Sequence, residues 1–197
     1  SVSLDRDSVT GLKIFVDGLQ IGTSQNPTAV SGSLDNDQPF AVGVIPSVVT
    51  SYFSGQIDEV RIYDRALSSS EIAGLYAQGS TGKTTVNASQ NNDLTNGLIG
   101  LWSFNGSDIS GTSAIDRSGQ GNNGTLTNGP TVYPGKVGQG LKFDGVNDFV
   151  SFGSNLSSLV TTELTVSAWV RPTLAPDGIG RVVATTYDWD VVPANVR

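Results

Sequence analysis

The tightest constraint on this chain lies between Leu12 and Ile21. Leu12-Lys-Ile-Phe-Val16 alternates, which puts Leu12, Ile14 and Val16 on one face of an extended segment. Asp17-Gly18 then supplies a two-residue turn whose twist matches that of paired strands, and Leu19-Gln-Ile21 returns. A period of two closed by such a turn is a β-hairpin. Short apolar runs set between Gly, Ser, Thr, Asn and Asp continue along the chain, and 24 glycines in 197 residues keep it turning. Residues 40–45 form one run between Pro39 and Pro46, and residues 53–63 read as a long strand with an irregularity at Gly55. Further strands are predicted over 98–104, 141–143, 149–152, 164–170 and 181–187, so the expected fold is all-β, an antiparallel β-sandwich.

One helix interrupts the pattern. Ser68-Ser-Ser-Glu71 is a capping box, Ile72, Leu75 and Tyr76 follow at helical spacing, and Gly79 is the expected stop. The helix is predicted near residues 68–77. Residues 81–96 hold almost no large apolar side chains to offset the entropy of ordering and read as a linker.

Composition excludes several kinds of chemistry. Without Cys or His there is no disulfide framework, no thiol nucleophile, no zinc site of the usual type and no Ser-His-Asp triad. A net charge of −7 argues against a nucleic-acid partner, which needs basic patches. No apolar run approaches the roughly 20 residues of a membrane-spanning helix, so no membrane insertion is expected.

The segments GLIGLWSF, DRSGQGNNGTL, GKVGQGLKFDGVNDFVSF and ELTVSAWVRP together resemble the opening half of a bacterial laminin G-like domain of the concanavalin A-like lectin/glucanase superfamily. LKIFVDGLQIG and YFSGQIDEVRIYDRALSSSEIAGLY resemble its closing half. The resemblance implies a concanavalin A-like jelly roll in reversed order. Residues 1–80 would be the C-terminal half of one domain, 81–96 a linker, and 97–197 the N-terminal half of a second. This is the pattern of a fragment cut across a tandem array. The two halves are expected to be able to dock as a permuted, incomplete sandwich, because the ends of such domains lie close together.

Catalysis fails on its residues. Retaining glucanases of this superfamily carry acids in a Glu-x-Asp-x-x-Glu arrangement, whereas Gln56-Ile-Asp-Glu-Val-Arg61 has an amide first and an arginine last. A non-enzymatic carbohydrate- or surface-binding module is therefore expected, extracellular or on a bacterial cell surface, flanked by neighbouring domains and facing a glycan or other extracellular ligand. The alternative is a structural spacer repeat in a bacterial adhesin, without a ligand of its own.

The loop 116–124 offers Asp116, the Asn122 and Asn123 amides and glycines that let carbonyls turn inward. The resemblance implies a structural calcium near such a loop, with Asp58 of the Ile-Asp-Glu segment nearby. Asp116, Asp58 and Asn122 are the candidate ligands, and ordinary loop hydrogen bonding is the competing reading. Trp189, with Tyr187, stands among loop residues at a strand end and is the candidate for stacking on a sugar ring. Trp102 and Trp169 lie within alternating strands and are expected in the core.

Overall fold

The computed structural model describes residues 1–29, 39–45, 48–81, 94–153, 156, 162–173 and 183–184. The hairpin forms as its sequence dictates. β1 (Val2–Asp5) precedes β2 (Leu12–Val16), and Asp17-Gly18, both at positive φ, turns the chain into β3 (Leu19–Gln25). The 40–45 run divides into β4 (Ala41–Val42) and β5 (Val44–Ile45). Gly43 between them has φ +91°, and a Cβ there would lie 2.8 Å from the Phe143 ring, so the chain turns where the sequence looked continuous. β6 (Val48–Tyr52) pairs with β5, and β7 (Ser54–Tyr63) follows.

After the helix α1 (Ser69–Ser80) come β8 (Leu98–Trp102), a 3-10 turn at Gly106–Asp108, β9 (Ile109–Ser110), β10 (Ser113–Ala114) and β11 (Gly124–Thr127). β12 (Thr131–Pro134), β13 (Gln139–Asp144), β14 (Phe149–Ser151), β15 (Glu163–Pro172) and β16 (Val183–Ala184) complete the chain. Only β16 represents the predicted 181–187 strand among the described residues. Most of the 81–96 segment also lies outside them, but Leu94 is buried against the helix side of the fold.

The strands form two main antiparallel sheets. One runs β12-β13-β7-β15-β1-β2-β3 with β8 added on β7; the other runs β16-β4-β14-β11-β10-β9. Residues from the two ends of the sequence interleave in both: β7 lies between β13 and β15, and β4 between β14 and β16. β7 pairs with β15 along one edge, while its other edge serves β13 up to Ile57 and β8 from Val60 onward. The register slips where Ser167 and Trp169 face Arg61 and Asp58, and Glu59 there has φ +52°. Pairing runs unbroken through Gly55 on both edges, and the bulge falls instead at Glu59, which keeps Ile57, Val60 and Ile62 all in the core.

That core lies between the sheets. Ile57, Val60, Ile62, Trp102, Leu141 and Phe143 of the first sheet meet Val42, Ala114 and Val150 of the second. Trp102 is fully buried, its ring 3.9 Å from that of Phe152. A smaller cluster covers the opposite face of the first sheet, where Ile72 and Leu75 of α1 pack on Phe15, Tyr63, Leu98 and Leu101.

Both halves of the capping box are made. The Glu71 amide donates to Ser68 Oγ, and the Ser68 amide donates to Glu71 Oε2 at 2.8 Å. Gly79 does not stop the helix, which runs to Ser80; it is buried against Trp169, where a Cβ would lie 2.3 Å from Nε1. Trp169 thus leaves the central core. Leu164, Val166 and Ala168 pack inward, so the alternation sends Trp169 to the helix side, 5.3 Å from Tyr76 and beneath Lys136.

Candidate functional site

Beside α1 the outer face of the first sheet opens into a cleft of about 370 Å³. Leu98 and Leu101 of β8 are its apolar floor. Its walls are polar: Thr95 before β8, Ser103 and Asn105 after it, Asp108 in the 3-10 turn, and Arg117 with Ser118 in the loop beyond β10. Phe104, at φ +54° just beyond β8, turns the chain and anchors it in the inter-sheet core. Asn105 then fixes the wall, its Oδ1 accepting the Gln139 amide at 2.8 Å. Gly138 makes room for that side chain, since a Cβ there would lie 2.5 Å from Asn105 Oδ1.

Asp108 is the charged centre of the wall. Ser103 Oγ donates to its Oδ2 at 2.5 Å, and Arg117 Nη2 pairs with its Oδ1 at 2.5 Å. Burial by itself would raise the Asp108 pKa. The hydrogen bonds from Ser103 and Arg117, with the Arg117 charge, outweigh it and hold the carboxyl below the usual carboxylate range. A second ion pair lies buried on β7, where Arg61 Nη2 donates to Glu59 Oε2 at 2.7 Å. Burial raises the Glu59 pKa, Arg61 opposes it, and the nearby Asp108 charge adds to the rise.

Asp116 and Asn122 come together, as fasteners of the loop. Asp116 Oδ1 accepts the Leu101 and Ser118 amides, and its Oδ2 accepts the Ser118 hydroxyl and the Asn122 amide. Asn122 Nδ2 donates to the Ile99 carbonyl, and its own carbonyl accepts Trp102 Nε1 at 2.9 Å. The loop is stitched to β8 along both backbone and side chain, which sets Arg117 and Ser118 over the cleft.

Asp58 lies elsewhere, under the β12–β13 hairpin. Its Oδ2 accepts the Val137 amide at 2.8 Å, while its Oδ1 is buried without a partner. Burial drives its pKa up to about 7 against the opposing Val137 hydrogen bond. It shares no hydrogen bond with Asp116 or Asn122 among the described residues. No three acidic side chains gather at one point there either. With the Asp116 oxygens facing N–H and O–H donors, this donor set does not fit a calcium ion, which asks for six to eight oxygens directed at one centre. Trp189 and Tyr187 lie outside the described residues.

Sequence reasoning passed over Arg117, Asp108 and Ser103. The signal was present in Asp116-Arg-Ser, next to the residues weighed for calcium, but only the fold shows that the arginine meets an acid nine positions earlier.

The laminin G-like family model, described as the concanavalin A-like lectin/glucanases superfamily, matches residues 2–73, from β1 into α1. No curated protein and no solved structure matches the chain.

Proposed function

We propose that this chain, laminin G-like over residues 2–73, is a non-catalytic module that binds a carbohydrate on an extracellular surface through the cleft on β8. The observation that carries the reading is the cleft itself. Hydroxyls, an amide and an ion pair stand around two largely buried leucines, a polar rim suited to the hydroxyls of a sugar. Asp108 is the only carboxylate that lines the cleft among the described residues, and it is held by Arg117 and Ser103. Glycoside hydrolysis needs two carboxyls flanking the bond, so binding without turnover fits these residues. The setting is read as bacterial export or cell-surface display, with neighbouring domains supplying the rest of the protein's activity. Among the described residues no helix is long and apolar enough to cross a membrane.

Binding is taken to be independent of calcium, because the Asp116 carboxylate is used in fastening the loop. A glycan array probed with the purified chain, in calcium and in EDTA, tests the reading. Hits of equal strength in both buffers are expected. An array without a hit in either buffer removes this reading in favour of a structural spacer.

A further inference from the structure

The hydrogen-bond inventory of the cleft is unbalanced. The acceptors of four lining side chains are engaged internally: Asp108 by Ser103 and Arg117, Asn105 Oδ1 by the Gln139 amide, Ser103 Oγ by the Asn105 amide, and Ser118 Oγ by the Gln120 amide. Donors remain. Arg117 uses Nη2 on Asp108, yet its side chain is 54% exposed against 7% for the acid that anchors it. The guanidinium has five N–H groups in a fixed fork, so an edge of it faces outward. The backbone beneath is held as well, the Arg117 amide donating to the Leu101 carbonyl at 2.7 Å.

A donor edge asks for acceptor oxygens, and charge decides which kind. Arg117 and Asp108 cancel, as do Arg61 and Glu59, so no excess positive charge is present to offset the desolvation of an anion. The chain's net charge of −7 adds a general repulsion. A neutral sugar with adjacent hydroxyls meets both conditions, placing two hydroxyl oxygens on the Arg117 edge.

We infer that Arg117, braced by Asp108, is the specificity-determining contact of the cleft and selects neutral glycans over uronate-bearing ones. This inference rests on the glycan-binding reading above and assigns that reading a residue and a ligand class.

Calorimetry of the whole chain with cellohexaose, xylohexaose, mannohexaose, laminarihexaose and hexagalacturonate tests it. At least one neutral hexaose is expected to bind, more tightly than hexagalacturonate and with little dependence on salt. Arg117→Gln is expected to weaken that binding on the order of tenfold or more, the range for a lost hydrogen bond to a charged group. Arg117→Lys preserves the charge beside Asp108 without the fork, and it should also lose binding while keeping the wild-type melting temperature. Binding of a neutral hexaose that survives both substitutions overturns the role of Arg117 and leaves glycan binding standing. Preferred, salt-sensitive binding of hexagalacturonate overturns the ligand class. Failure of every hexaose to bind overturns both this inference and the reading beneath it.

Discussion

Asp58 holds one carboxylate oxygen in a hydrogen bond and the other in none, inside the protein. Its raised pKa, about 7, means that the folded state takes up a proton which the unfolded chain, near 3.8, releases. Between those values the folded form binds more protons, so stability must fall as pH rises through that window. Asp58→Asn removes the charge while keeping an oxygen for the Val137 amide. The variant is expected to melt above the wild type at pH 8, with the gap shrinking toward pH 4; parallel melting curves across that range would contradict the assignment. Gly79 gives a second prediction, in which two effects oppose. Alanine gains roughly 1 kcal/mol of helix propensity over glycine. It also places a methyl 2.3 Å from Trp169 Nε1, an overpacking that costs typically 1–3 kcal/mol. Gly79→Ala is therefore expected to destabilise in chemical denaturation, against the propensity scale.

The helix and the Asp116 loop show what can be read locally and what cannot. Ser68→Ala should cost about 1 kcal/mol by opening the capping box. That device was legible because every partner lies within four residues. The β2–β3 hairpin was legible for the same reason, its alternation and turn being adjacent. The bulge at Glu59 was not, since it exists to match β7 to β15 about a hundred residues onward. Gly79 looks like a stop in the sequence because its reason for being glycine, Trp169, is equally remote. In the loop 116–124 the sequence singled out Asp116 and Asn122 and left open whether their oxygens would face a cation or loop hydrogen-bond donors. In the structure the Asp116 oxygens accept the Leu101, Ser118 and Asn122 amides and the Ser118 hydroxyl. Asp116→Ala would leave the buried Leu101 amide without its acceptor, a loss of about 1–3 kcal/mol. It is also expected to lower glycan affinity by releasing Arg117, with EDTA making no difference to the wild type's melting temperature.

At the scale of the whole molecule, the central core takes its residues from both ends of the sequence. β7 contributes Ile57, Val60 and Ile62 to a cluster completed by Trp102, Leu141, Phe143 and Val150. Residues 1–81 expressed alone should therefore stay unfolded, with a collapsed near-UV dichroism spectrum and poorly dispersed amide resonances. A well-dispersed spectrum from that piece would show that the long-range pairing is dispensable. β7 also has a temporal side. About 110 residues separate it from the far end of β15, and at roughly 5–20 residues per second a ribosome needs on the order of 5–20 seconds to deliver that partner. For that interval the edge of β7 that β15 will cover stays bare, even after β8 and β13 have emerged to pair with the other. Its unpaired N–H and C=O groups and its Ile and Val side chains are then open to any other chain within reach. Yield of the protein in a cell is thus expected to depend on holdase chaperones and on the speed of translation after Tyr63, more than on the stability of the finished sandwich.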